Sequence, residues 1–457
     1  MKIAESTCES FSDELHEKSG KIRKVLKTIV HSPLFWVLVI CFSVQSVYYS
    51  QMLPYEVCGD TSSYTYQYDS SFRTPVYPMF GRVVSFFTGN EEVAWFTMMA
   101  NIQKVAMFAS VVLFWALVCS VTKNKYLRFL TTLLYGASPA IFSWAICILT
   151  EAFSIVEIVA LLFFTVKYLC KKKKSYAFWS GIMVLMMIMT RPAAVYLLVV
   201  YAVFWGLQLL IAIIHKVPKK HFSVIWAGVV GLAVAFCGVL GYCIMQKNTY
   251  GSFSLSSVAY VNDLLIVVDT DMYELSSNDE IRNYISQRKM ETKDNYIIIW
   301  QGLMKIYTRS ELEQFADDIM HNNRLIYIKK TILKSINWGV KPIVTAYNTL
   351  KEKNSLDLKR FVGMLFPVSF GLLYSMILGS VIWFFVRIMK KKRLDWALLL
   401  FVMVIGGNVA VTIIAAPYEP ERLCVTSLPV LIIGVMYSLE ITAKYGGGKR
   451  IESKIMK

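Results

Sequence analysis

Apolar segments long enough to cross a bilayer recur along the chain at 33–50, 93–121, 127–146, 152–170, 175–190, 192–214, 223–245, 361–389, 394–415 and 423–441. A stretch of about twenty such residues crosses the hydrocarbon core as a helix, because only helices and closed barrels satisfy their own backbone there. The fifth and sixth segments form one apolar run broken only by Thr190-Arg191-Pro192. Together they are too long for one crossing, so a turn is expected at a membrane face. The pattern predicts an all-α polytopic membrane protein of about ten transmembrane helices. Composition agrees, with 56% hydrophobic and 17% charged residues.

The net charge of +17 is spread in short runs between apolar spans. That points to a membrane surface and away from a nucleic-acid partner. Lys18, Lys21, Arg23, Lys24 and Lys27 precede the first span and place the N-terminus in the cytoplasm. With no small-residue cleavage site after it, that span is expected to be a retained anchor. The alternation then puts the basic connections 122–128, 171–174, 215–221 and 390–393, and the tail after Lys444, on the cytoplasmic side. Loop 51–92, with five acids against two arginines, falls outside, as do Glu151, the Arg191-Pro192 turn and Arg422. Three parts are expected: spans one to seven at 1–245, an extracytoplasmic segment at 246–360, and a C-terminal membrane module at 361–457. A multi-pass plasma-membrane protein with both termini inside follows.

In the long outer segment, Ser277-Asn278-Asp279-Glu280 reads as a helix start and Ser310-Glu-Leu-Glu313 as a capping box. Leu325, Ile328, Ile332 and Ile336 mark an apolar helical face beside Lys329, Lys330 and Lys334. That helix either rests on an anionic outer leaflet or packs on its own domain.

Chemistry-bearing residues concentrate in the first outer loop: Asp60-Thr-Ser-Ser-Tyr64, Asp69, and Arg73-Thr-Pro75-Val-Tyr77-Pro78. Thr74 as N-cap and Pro75 at the first helical position predict a short interfacial helix, with Val76, Phe80, Val83 and Phe87 at helical spacing and Gly89-Asn90 at its end. Of the nine cysteines most lie in apolar spans and read as small hydrophobes. Cys58 faces outward, with Cys147 and Cys424 as the possible disulfide partners.

These features, with Thr150-Glu151, Thr190-Arg191-Pro192 and Pro417-Tyr-Glu-Pro-Glu-Arg422, resemble the GT-C superfamily of polyprenol-dependent membrane glycosyltransferases. The branch is similar to protein O-mannosyltransferases and lipid A aminoarabinose transferases. The resemblance covers the whole chain, including the Asn248-Thr-Tyr-Gly251 exit from the seventh span, but Asp60 is followed by Thr61 where an Asp-Glu pair would stand. It implies transfer of a sugar from a polyprenyl-phosphate carrier to a glycolipid, cell-wall polymer or protein acceptor on the outer face.

Such a transfer needs a base for the acceptor hydroxyl and cations for the departing phosphate. Asp60 is the candidate base, with Asp69 in reserve and Glu151 either a second catalytic carboxylate or a helix-dipole cap. Arg422 is the candidate phosphate ligand, since its planar fork suits phosphate oxygens. Arg73 either binds phosphate or anchors the lid helix, and Arg191 and Lys104 are further donor-site candidates beside Tyr64 and Tyr77. Lys104, with Asn101 and Gln103, suggests a water-lined half of the second span. Glu157 lies deeper, where an unpaired charge is expensive. No resident cofactor is expected. A divalent cation on Asp60 with Asp69 or Glu151 stays open, and the scattered histidines argue against zinc. The competing reading is a transporter or flippase of lipid-linked saccharides, or an O-antigen polymerase or ligase.

Overall fold

The computed structural model describes residues 31–58, 60–65, 73–89, 91–256, 258–292, 295–338, 395–415 and 420–446. Among them the elements are helical, apart from one isolated parallel bridge between Glu56 and Cys147. Among the described residues seven helices are long and apolar enough to cross a membrane. The eighth expected span, the basic lead-in before residue 31, and Asp69 lie outside the described residues.

Helix α1 (Pro33–Gln51) starts on a proline, whose missing N–H costs nothing at that position. Helix α2 (Val76–Thr88) ends at Gly89, whose φ of +62° is a left-handed cap that favours glycine. Thr74 does not cap α2, contrary to expectation: it is buried and its Oγ1 finds no partner, while Pro75 holds the cap position. Tyr77, Gly81 and Val84 form the buried face of α2. A Cβ on Gly81 would stand 2.8 Å from the Trp95 ring, whose Nε1 donates to Gly81 O at 2.8 Å. The close approach seats α2 on α3 (Glu92–Val121) and leaves Met79, Val83, Phe86 and Phe87 exposed, Phe86 at 84%. An apolar face on a short amphipathic helix suits an interface.

The expected span at 127–146 does not form one helix. Helix α4 (Lys125–Gly136) is capped by the Asn124 side chain, which accepts from Tyr126 N and Leu127 N. Then Ser138, extended before Pro139, breaks the path. The four-residue α5 (Pro139–Phe142), a tight turn at Ser143–Ala145 and irregular backbone follow. That backbone is buried and satisfied by side chains: Gln45 Nε2 donates to Gly136 O and Tyr49 Oη to Phe142 O, both at 2.8 Å. Non-helical chain in a protein interior needs its backbone groups satisfied in this way.

Helices α6 (Glu151–Lys171), α7 (Lys174–Thr190), α8 (Tyr196–Ile214) and α9 (Lys219–Tyr250) follow. The turn expected at Arg191-Pro192 is present, with Arg191 extended and Pro192 opening a 3₁₀ turn into α8. Where α7 meets α9, a Cβ on Gly181 would lie 2.2 Å from the Gly231 carbonyl carbon, so the two backbones touch.

The segment after α9 builds α10 (Val258–Asp269), α11 (Asp279–Thr292), α12 (Tyr296–Ile306), α13 (Arg309–Asn322) and α14 (Arg324–Trp338) around its own apolar core. The capping box sits two residues earlier than expected, on Thr308 and Glu311. On α14, Leu325, Ile328 and Ile332 are exposed, while Tyr327 and Thr331 are buried. Two of its lysines serve the segment itself: Lys334 pairs with Asp269 at 2.5 Å and Lys330 donates to Thr270 O.

The last membrane helices are α15 (Trp396–Ala415) and α17 (Leu428–Gly446). Between them α16 (Pro420–Cys424) and a 3₁₀ turn replace the first turn of the expected span, and Arg422 lies on α16.

Candidate active site

Helix starts and turns from four distant parts of the chain meet around two carboxylates. Asp60 precedes the 3₁₀ turn Thr61–Tyr64, Arg73 leads into α2, Glu151 opens α6, Arg191 follows α7, and Arg422 sits on α16. Arg422 bridges the carboxylates, with Nη1 2.9 Å from Asp60 Oδ2 and Nε donating to Glu151 Oε1 at 2.5 Å. Arg73 Nη2 reaches the other Asp60 oxygen, Oδ1, at 3.0 Å, and Arg191 Nη2 reaches Glu151 Oε1 at 3.1 Å. The chain of charges therefore runs Arg73, Asp60, Arg422, Glu151, Arg191. Three guanidiniums stand against two carboxylates.

The inner end of this chain is closed and the outer end open. The Glu151 side chain is 0% exposed, whereas that of Asp60 is 39% exposed. Glu151 also lies at an α-helix N-terminus, where the backbone dipole favours a negative charge. Even so, Glu151 Oε2 and Arg191 Nη1 are buried without a hydrogen-bond partner, which is costly unless something else reaches them.

Burial pushes the Asp60 carboxyl up, but Arg422 and then Arg73 outweigh it and hold the group below the usual carboxylate range. Arg73 is itself oriented from three sides. Its Nε donates to Ser63 Oγ at 2.7 Å, its guanidinium lies 4.5 Å from the Tyr64 ring centroid, and its carbonyl accepts from Tyr242 on α9 at 3.2 Å. Gln246, one turn further along α9, donates to the same tyrosine hydroxyl.

Tyr64 and Tyr77 form the floor, edge to face at 5.2 Å. Tyr77 is fully buried, and its hydroxyl donates to Gln103 Oε1 at 2.7 Å. Gln103 in turn donates to Cys147 O at 2.7 Å and Ala145 O at 3.2 Å. It therefore links α2 to the strand-like approach to Glu151, and the expectation that it lines water is corrected. Lys104 stands apart from the ion chain: its Nζ donates to Pro54 O at 3.0 Å and lies 5.3 Å from the Tyr49 ring centroid. Glu157 is held by Thr190 Oγ1 at 2.6 Å across the α6–α7 contact.

Reasoning from sequence did not find Glu56, Ser63, Tyr242 or Gln246. Their signal lies only in contacts between remote segments. A cation would find a poor donor set here, because Arg422 already occupies the space between Asp60 and Glu151. Among the described residues no three potential ligands cluster.

The fold and site thus define a helical protein with seven helices apolar enough to cross a membrane among the described residues, and a partly buried arginine–carboxylate chain open at Asp60. No family model matches it. No curated protein matches it. Among solved structures, the Archaeoglobus fulgidus oligosaccharyltransferase AglB, in complex with an inhibitory peptide and a dolichol-phosphate, is similar at 12% identity and a TM-score of 0.43, covering 92% of this chain and 52% of that one. The same organism's oligosaccharyltransferase tethered to an acceptor peptide gives 11% and 0.44, over 91% of this chain and 51% of that one. The chain spans about half the length of these structures.

Proposed function

We propose that this protein is a membrane glycosyltransferase of GT-C type that moves a sugar from a polyprenyl-phosphate carrier to an acceptor hydroxyl on the outer face of the membrane. The observation that carries this reading is the three-arginine, two-carboxylate chain. It holds one more positive than negative charge, in a half-closed site among membrane helices, which favours a phosphate ester arriving from the lipid phase. Acceptors that fit the open Asp60 end are a glycolipid, a cell-wall polymer or a protein.

Without donor, the carboxylates hold the guanidiniums in place and avoid leaving them unpaired. A donor phosphate draws Arg422 and Arg73 onto its own oxygens. Asp60 then loses the two cations that suppress its basicity, so donor binding itself raises its proton affinity. The acceptor hydroxyl gives its proton to Asp60 as its oxygen attacks the sugar C1. The C1–O bond to phosphate breaks with inversion, and the leaving phosphate's charge falls on the arginines. Glu151 and Arg191 hold Arg422 from the closed side, and the apolar face of α2 sits at the interface as a lid. Asp69, seven residues or fewer from the lid's start, is the reserve base.

Purified protein in vesicles containing a radiolabelled polyprenyl-phosphate sugar tests the reading, with a membrane extract as the source of acceptors. Transfer of label out of the carrier lipid, with release of polyprenyl phosphate, is expected. Movement of the intact lipid between leaflets with no cleavage would overturn it in favour of a transporter.

A further inference from the structure

Cys58 and Cys147 lie on the two segments that the Glu56–Cys147 bridge pairs. Glu56 N donates to Ile146 O at 2.8 Å and Ile148 N to Glu56 O at 3.0 Å. Thr61 adds a second tie, its Oγ1 accepting from Cys58 N at 2.8 Å and donating to Ile148 O at 3.1 Å. Cys58 thus stands two residues beyond the bridged Glu56, at the start of the turn that Thr61 ties to Ile148. The Cys147 Sγ donates to Glu56 Oε2 at 3.4 Å, and the Cys58 thiol lies close enough to act on it. Cys424, the other partner expected from the sequence, is instead directed at Thr412 Oγ1, 3.8 Å away.

We propose that Cys58 and Cys147 form a disulfide by exchange with an extracytoplasmic disulfide oxidant, tying the Asp60 loop to the segment that leads into Glu151. This rests on the reading above that the site faces the outer, oxidising side.

The two thiols divide the work. Cys147 is buried and Cys58 half-buried, so Cys58 is the one an oxidant reaches. The adjacent Cys58 thiol, burial and the neighbouring Glu56 carboxylate push the Cys147 thiol well up, so it keeps its proton at the first step. The Cys58 thiolate, its proton lost to water, attacks one sulfur of the oxidant's disulfide and expels the other as thiolate. Cys147 then passes its proton to Glu56 Oε2 and attacks the Cys58 sulfur. The oxidant's second thiolate leaves, and Glu56 returns the proton to solvent. Two thiols are oxidised to one disulfide and the oxidant's disulfide is reduced to a dithiol.

The consequence is positional. Asp60 lies two residues beyond Cys58, and Glu151 four beyond Cys147. A covalent tie between their segments fixes the carboxylate separation that Arg422 spans.

The test is a non-reducing peptide map of full-length protein, alkylated at once with N-ethylmaleimide in its native membranes. A linked Cys58–Cys147 peptide pair is expected, and it should vanish in Cys58→Ala. Dithiothreitol should lower the wild-type Tm by a few degrees and leave the Cys58→Ala/Cys147→Ala variant unmoved. Maleimide on both cysteines of the wild type, or linkage of Cys58 to Cys424, overturns the proposal. A parallel Ser277→Cys sample, probed with an impermeant thiol reagent, separates the causes. Free thiols with Ser277→Cys labelled overturn the disulfide alone, and free thiols with it protected overturn the outer-face reading as well.

Discussion

Arg422 is the side chain on which the site's geometry depends, because among the described residues it alone touches both carboxylates, at 2.9 Å and 2.5 Å. A lysine keeps the charge but loses the planar fork, and one ammonium cannot span Asp60 Oδ2 and Glu151 Oε1 and then turn paired donors onto a phosphate while still held by Glu151. Arg422→Lys is therefore expected to cut sugar transfer by about 10²-fold, measured in the vesicle assay. Transfer at the wild-type rate would reduce Arg422 to an anchor. The depressed Asp60 pKa has its own consequence. Because the folded value lies below the unfolded one, the ion pairs contribute stability above the unfolded pKa, and it is lost as pH falls through the folded value. Asp60→Asn should flatten the acid limb of a Tm-against-pH curve. An unchanged acid limb would mean that the pairs with Arg73 and Arg422 do not act in solution.

At the scale of elements, helices α10 and α14 carry a titratable junction with α15. Tyr327 on α14 places its hydroxyl 3.2 Å from Asp263 Oδ1 on α10 and 3.1 Å from Ile414 O on α15. Burial, with Asp317 and Glu313 nearby, pushes the Asp263 carboxyl up to about 6 despite the Tyr327 hydrogen bond. A raised carboxylate reverses the usual sign: the folded state holds the proton more tightly, so stability falls as pH rises from about 4 through 6. Asp263→Asn is expected to raise Tm at pH 7 by a few degrees and to change little at pH 4. An equal effect at both values would contradict this. How legible each element was depended on how local its cause is. Helices α3, α6 and α9 follow from long apolar runs, and the α7–α8 turn follows from Thr190-Arg191-Pro192. The expected span at 127–146 failed because its apolar run hides Ser138-Pro139. The irregular chain beyond is held by Gln45, Tyr49 and Gln103, which lie far away in sequence. Likewise Asp60, Glu151, Arg73, Arg191 and Arg422 could each be picked as candidates, but nothing local told that they form one chain of charges.

At the scale of the molecule, the ion chain, the first outer loop and the outer segment are all read as lying on one side of the bilayer, with the basic connections on the other. Cysteines introduced at the exposed positions Ser62 and Ser277 should react with an impermeant thiol reagent in intact cells, and one at Ser175 should not. Labelling at Ser175 alone would invert the topology and put the arginine chain where no lipid-linked sugar is presented outside.

The central claim is that Asp60 accepts the acceptor's proton once the donor phosphate has drawn the arginines away. Asp60→Asn keeps the side chain's shape and its acceptor oxygen but removes the base. The direct measurement scores bound donor and transferred sugar separately for wild type and Asp60→Asn, with a radiolabelled polyprenyl-phosphate sugar and purified protein in lipid. The account predicts that donor binding survives while turnover falls by about 10² to 10⁴-fold. Full turnover in Asp60→Asn, with donor bound as in wild type, would contradict it.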